Sequence, residues 1–149
     1  MSNRFLFGAV GLVLLAALAG ILTVGSPSEA RRERMDQHRY QDLVALALAL
    51  TCTDKDVTPV LPAEMSVENL RSYCGGRNIL DSTLVDKETS EPYKYSRMSD
   101  GEFSICTKFY DADRAVRQVY RYPDKGWSFN PATGCVTGKA KASGNHLSG

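Results

Sequence analysis

The first strong pattern along the chain is a block without charge, residues 5–24, FLFGAVGLVLLAALAGILTV. About 20 apolar residues at roughly 1.5 Å rise each match a hydrocarbon core of about 30 Å. The pattern predicts a transmembrane helix carrying Phe5, Gly8, Leu14, Ala16, Gly20 and Val24. Ala16 and Gly20 form a small-xxx-small pair, a spacing that lets membrane helices approach closely. A cleaved signal peptide is the rival reading, and Ala17-Leu18-Ala19 and Ser28-Glu29-Ala30 are small-x-small cleavage sites. Signal peptides carry an apolar region of only about 7 to 15 residues, so length favours an uncleaved anchor.

Gly25-Ser26-Pro27 interrupts the block. A second helix is predicted over residues 29–51, with Ser28 as its N-cap and Glu29 suiting the helix dipole. Its first half, ARRERMDQHRYQD, reads as charged and solvated. Its second half, LVALALAL, is apolar on nearly every side and must be buried. Leu43, Leu46, Ala47 and Leu50 form the expected inner stripe. Residues 54–66, with Pro59 and Pro62, read as a loop. MSVENLRSYCG suggests a short helix capped by Ser66 and ended by Gly75-Gly76. Ile79 and Leu80 are expected to tuck inward.

Period-two alternation then takes over. Tyr93 and Tyr95 share one face of a short strand, and Phe103, Ile105, Thr107 and Phe109 one face of the next. Ser99-Asp100-Gly101 and Asp111-Ala112-Asp113 read as turns. VRQVYRY is expected as a third strand and WSF as a fourth short piece, giving an antiparallel meander. The fold class expected is α+β: an N-terminal transmembrane helix, then a soluble helix packed on a small antiparallel sheet. The organisation is an anchor and break (1–27), a soluble domain (28–137) and a disordered polar tail (138–149).

The chain has 149 residues and a formal net charge of +1. That balance lacks the basic stripe of a nucleic-acid binder. Four widely spaced cysteines, Cys52, Cys74, Cys106 and Cys135, form no CxxC pair, which weakens a zinc reading. Behind an anchor they read as two disulfides in an oxidising compartment. The sequential pairing Cys52–Cys74 and Cys106–Cys135 is preferred, though three pairings are open. The arginines disagree: Arg31, Arg32 and Arg34 after the apolar block outnumber Arg4 before it, which alone would place the domain in the cytoplasm.

The order of elements resembles the type IV pilins and type II secretion pseudopilins. HRYQDLVALALAL, LVDKETSEPYKY and EFSICTKFY carry the resemblance. It implies a long helix packing its second half on a small sheet. The family's Gly-Phe peptidase site and the glutamate in the apolar run are absent. The expectation is therefore a pilin-like shape on an uncleaved anchor, not a filament subunit.

Candidate chemistry is sparse. Asp81, Asp86, Glu88 and Glu91 could supply oxygen ligands for calcium, but they lack EF-hand spacing, and a solvated acidic loop is the plainer reading. Asp111 and Asp113 suit a turn better than acid–base work. His38 reads as a surface residue, and His146 lies in the tail. No catalytic, metal or cofactor residue is assigned. Tyr93, Tyr95, Tyr110, Tyr120, Tyr122 and Trp127 are possible interface residues on the sheet. The expected function is non-enzymatic: a bacterial inner-membrane, single-pass protein with a periplasmic domain. It would act as an accessory or structural subunit of a larger membrane complex. Its partners would be the membrane and other proteins, with no nucleic acid or small-molecule substrate. The alternatives are a pseudopilin-like component of a secretion machine and a calcium-binding or small enzymatic envelope module.

Overall fold

The computed structural model describes residues 3–24, 26–51, 61–71, 79–98, 101–118 and 126–140; within α1 side-chain surroundings are described for 7–20 only. The elements run α1 (Asn3–Val24), α2 (Pro27–Thr51), α3 (Val67–Arg71), a 3-10 turn (Asp81–Thr83), β1 (Lys94–Arg97), β2 (Glu102–Cys106), α4 (Ala112–Gln118), β3 (Trp127–Asn130) and β4 (Cys135–Lys139). The fold is α+β around a four-stranded antiparallel sheet of order β1-β2-β4-β3.

The cap of α2 differs from expectation. Ser26, not Ser28, accepts the Glu29 amide on its hydroxyl at 3.2 Å. Pro27 thereby takes the first helical position, where its missing N–H costs nothing and its φ is preset. The apolar half of α2 is enclosed as its composition demands. Leu43, Leu46, Ala47, Ala49 and Leu50 have no exposed surface. They pack on Phe103, Ile105 and Val136 of the sheet and on Leu61, Leu70 and Ile79. A second cluster joins Tyr40 and Val44 of α2 to Ala115 of α4.

Two expectations about the sheet are corrected. VRQVYRY does not start as a strand: residues 112–118 are helical. Asp111 caps this helix, accepting the Arg114 amide at 2.9 Å. Asp113 in the first turn and Arg117 in the last suit its dipole. Nor is the sheet a sequential meander. The β1–β2 and β3–β4 hairpins are separated in sequence by α4, and β4 returns to pair with β2. The disordered polar tail expected over 138–149 does not hold for its first residues, because Gly138 and Lys139 pair in β4 and Ala140 is buried. Gly138 is where the sheet needs a missing side chain: a Cβ there would lie 2.7 Å from Phe103 Cζ and 3.0 Å from Trp127 Cβ.

Ile79 is buried, but Leu80 is 64 % exposed rather than tucked inward. Ser66 caps α3 as expected, accepting the Asn69 amide at 3.1 Å. Gly75-Gly76, Cys52, Cys74, Tyr120, Tyr122 and residues 141–149 lie outside the described residues.

Helix α1 is a separate case. Among the described residues, no helix is long and apolar enough to cross a membrane. Over residues 7–20 its side chains are nonetheless open: Phe7 is 74 %, Leu12 71 % and Leu15 69 % exposed. A Cβ added at Gly8, Gly11 or Gly20 would meet nothing within 4 Å.

Candidate functional site

The inner stripe of α2 does not stop at Leu43. Three and four residues back come Tyr40 and Arg39, and three further back Asp36, all on the same helical face. All three are buried, as is Asp42. The charged half of α2 is therefore not simply solvated, which corrects the expectation for ARRERMDQHRYQD.

Arg39 is the hub. Its Nε donates to Asp86 Oδ2, its Nη1 to Asp36 Oδ1 at 3.1 Å, and its Nη2 to Glu88 Oε2 at 2.7 Å. Planar guanidinium suits such multiple donation, where an ammonium would act as a point charge. The carboxylates have further donors. Asp86 Oδ1 accepts the amides of Glu88 at 2.8 Å and Thr89 at 3.3 Å, which folds the 86–89 loop into an Asx-turn. Asp36 accepts the amides of Tyr110 at 3.0 Å and Asp111 at 2.7 Å. It thus fixes the chain entering α4. Tyr110 donates its hydroxyl to Glu88 at 3.0 Å, and the Arg32 and Arg39 guanidinium carbons each sit 5.2 Å from its ring centroid. Separately, Tyr93 donates to Asp42 Oδ2 at 3.0 Å.

These contacts set the ionisation of the cluster. Burial opposes the charge on Arg39, but Asp86, Asp36 and Glu88 outweigh it and hold the group firmly cationic. Burial pushes Asp86 up, yet the Arg39 hydrogen bond and the two loop amides hold its carboxyl below the usual range. Burial pushes Asp42 up, with Lys87 and the Tyr93 hydroxyl opposing only in part. Tyr93 is driven far up by burial and by Asp42.

The cluster is built for cross-linking. It ties α2, the 85–91 segment and the start of α4 through one cation. Asp86 and Glu88, considered above as calcium ligands, are engaged by Arg39, while Asp81 and Glu91 are exposed elsewhere on the loop. Among the described residues no three His, Cys, Asp or Glu are grouped to hold a metal ion. Asp111 serves as a cap, Asp113 is exposed in the first turn of α4, and His38 is exposed.

Of the aromatic residues considered for an interface, Tyr93, Tyr95 and Trp127 gather on the helix-facing side. Tyr93 is core, Tyr95 is half-buried and donates to the Pro62 carbonyl at 3.0 Å, and Trp127 packs against both apolar clusters. Tyr110 is 52 % exposed. The outer sheet face instead carries small polar groups. Ser96, Ser104, Thr137 and Ser128 stand side by side across the four strands. In the neighbouring row Lys94, Cys106, Cys135 and Asn130 align, and Cys106 and Cys135 are joined by a disulfide. The half of the sequential pairing within the described residues is thus present.

Sequence reasoning missed Arg39, Asp36, Asp42 and α4. The signal was available: extending the 43, 46, 47, 50 stripe backwards by helical steps reaches 39, 40 and 36. Comparisons with protein-family models, curated proteins and solved structures return no match to this chain.

Proposed function

We propose that the chain is a non-enzymatic, single-span membrane protein whose folded domain is an accessory or structural subunit of a larger bacterial membrane complex. The observation that carries this reading is the uncovered apolar surface of α1. Seven large apolar side chains, Phe7, Val10, Leu12, Val13, Leu14, Leu15 and Leu18, are at least 49 % exposed. Burying such a side chain is worth about 1.5 to 3 kcal/mol, so leaving these in water forgoes on the order of 10 kcal/mol. That rivals the whole stability of a small domain, about 5 to 15 kcal/mol. Such a surface calls for an apolar cover. Lipid is the cover that matches an uncharged run over residues 5–24.

Placing the domain on the periplasmic side rests on the Cys106–Cys135 disulfide, since disulfides persist in oxidising compartments and are rare in the cytosol. The accessory role rests on tethering. An anchor confines the domain to the membrane plane and raises its effective concentration beside membrane partners. Asp36, Arg39 and Asp86 fit this role as scaffold, because each is held by neighbours within the domain.

The test is alkaline carbonate extraction of bacterial membranes, followed by protease treatment of spheroplasts. The reading expects the full chain to stay in the pellet and the domain to be cut from outside. Release into the supernatant, or protection from protease until lysis, would overturn it.

A further inference from the structure

The Cys106–Cys135 disulfide does not lie in the core. The strands alternate, so Ile105 and Val136 face α2 with no exposed surface, while Cys106 and Cys135 between their neighbours face outward and are only half-buried. We propose that this disulfide is a thiol-exchange site that reacts in the folded protein with a dithiol reductant. The inference stands on the sheet alone and does not depend on the membrane reading.

The surroundings of the two sulfurs differ. Ser104 Oγ lies 3.3 Å from Cys106 Sγ, and because a disulfide sulfur carries no hydrogen, the hydroxyl is the donor. Lys94 stands directly opposite Cys106 on the same outer face. Cys106 also borders a cavity of about 320 Å³ whose charged lining is Lys94, Lys108 and Arg39 with Asp86 and Glu91. A hydroxyl donor and nearby ammonium groups favour a thiolate. Cys135 Sγ instead lies 3.5 Å from the Thr133 carbonyl oxygen, an acceptor that suits a thiol and not a thiolate. The lower-pKa thiol leaves faster, so the asymmetry sets the direction of exchange.

The reductant's thiolate attacks Cys135 Sγ. The Cys106–Cys135 bond breaks, and its electron pair departs on Cys106 Sγ as a thiolate. A mixed disulfide now joins the reductant to Cys135. The reductant's second thiol, having lost its proton to water, attacks its own sulfur in that mixed disulfide. Cys135 leaves and takes a proton, and the reductant departs as its own disulfide. Two electrons have passed from the dithiol to the protein. The β2–β4 ladder, paired over five residues, keeps the strands in place after reduction.

The test uses the full chain in detergent micelles, with Trp127 emission reporting the fold. Glutathione and iodoacetamide are added together, and peptide mass spectrometry locates the adducts. The expected result is glutathione on Cys135 and the alkyl group on Cys106, with emission unchanged. Reduction by dithiothreitol should slow about three-fold or more in both Ser104→Ala and Lys94→Gln, because each raises the pKa of the leaving thiol. Lys139→Gln, at the far end of the outer face, should react at the parent rate. Glutathione on Cys106, equal rates in the Ser104 and Lys94 variants, or reduction that keeps pace with unfolding in urea would overturn the proposal.

Discussion

Replacing Arg39 with Met keeps an unbranched apolar stem and removes the cation that Asp36, Asp86 and Glu88 share. The side chains of Arg39, Asp36 and Asp86 are 7 %, 3 % and 8 % exposed, so this is a buried group. Removing one partner of a buried pair costs about 3 to 5 kcal/mol, because it strands a charge. Glu88 is 35 % exposed and can turn to water, so it adds little. Asp36 keeps its two backbone donors. Most of the loss therefore falls on Asp86, and Arg39→Met should destabilise the domain by about 3 to 5 kcal/mol at pH 7. The pH dependence has a definite sign. In the parent the folded Asp86 carboxyl titrates below its unfolded value, so its contribution is fully present above about pH 4 and is lost as pH falls through the lower, folded value. In the variant the strongest of the influences opposing burial is gone. Asp86 then rises, and its burial becomes a penalty that fades as it protonates. The gap between parent and variant is widest near neutrality and narrows in acid. Urea unfolding followed by the single tryptophan, at a series of pH values, measures it. Asp86→Asn in the Arg39→Met background should recover part of the loss, although Asp86→Asn alone destabilises. A gap under about 1 kcal/mol at pH 7 would refute the account of the hub.

Three further substitutions probe other parts of the fold. Gly138→Ala drives a methyl into Phe103 and the base of Trp127, and should cost about 1 to 3 kcal/mol with a shift in tryptophan emission. Asp42→Asn keeps an oxygen for the Tyr93 hydroxyl while removing a charge that burial disfavours. Because the folded carboxyl lies above its unfolded value, the parent loses stability as pH rises between the two; the variant should therefore gain on the parent over that interval, read from urea midpoints. Asp111→Ala removes the cap of α4 and should cost about 1 kcal/mol by the same assay.

Much of the fold was legible because burial writes itself as periodicity. LVALALAL could only be a buried helix, and the alternation in EFSIC gave β2 with Phe103 and Ile105 inward. Helix α4 was misread because VRQVYRY is rich in the β-branched and aromatic residues that favour strands. The deciding features were a capping aspartate and the small Ala115, which fits against Tyr40 and Val44. Strand β4 went unread, since Gly138 resembles the start of a polar tail; its glycine is required by two rings across the sheet. The Arg39 hub was hidden by charge itself. Lone charges read as solvated, and only the fold brings Asp86 and Glu88, 47 and 49 residues away, to the same guanidinium.

The most direct test of the account as a whole is native electrophoresis of mildly solubilised membranes, with mass spectrometry of the band that holds this chain. An accessory subunit should migrate with a large complex, and deletion of residues 1–24 should release the domain from that band while leaving it folded. Migration of the intact chain alone, near its own mass of 16.4 kDa plus bound detergent, would contradict the proposed function.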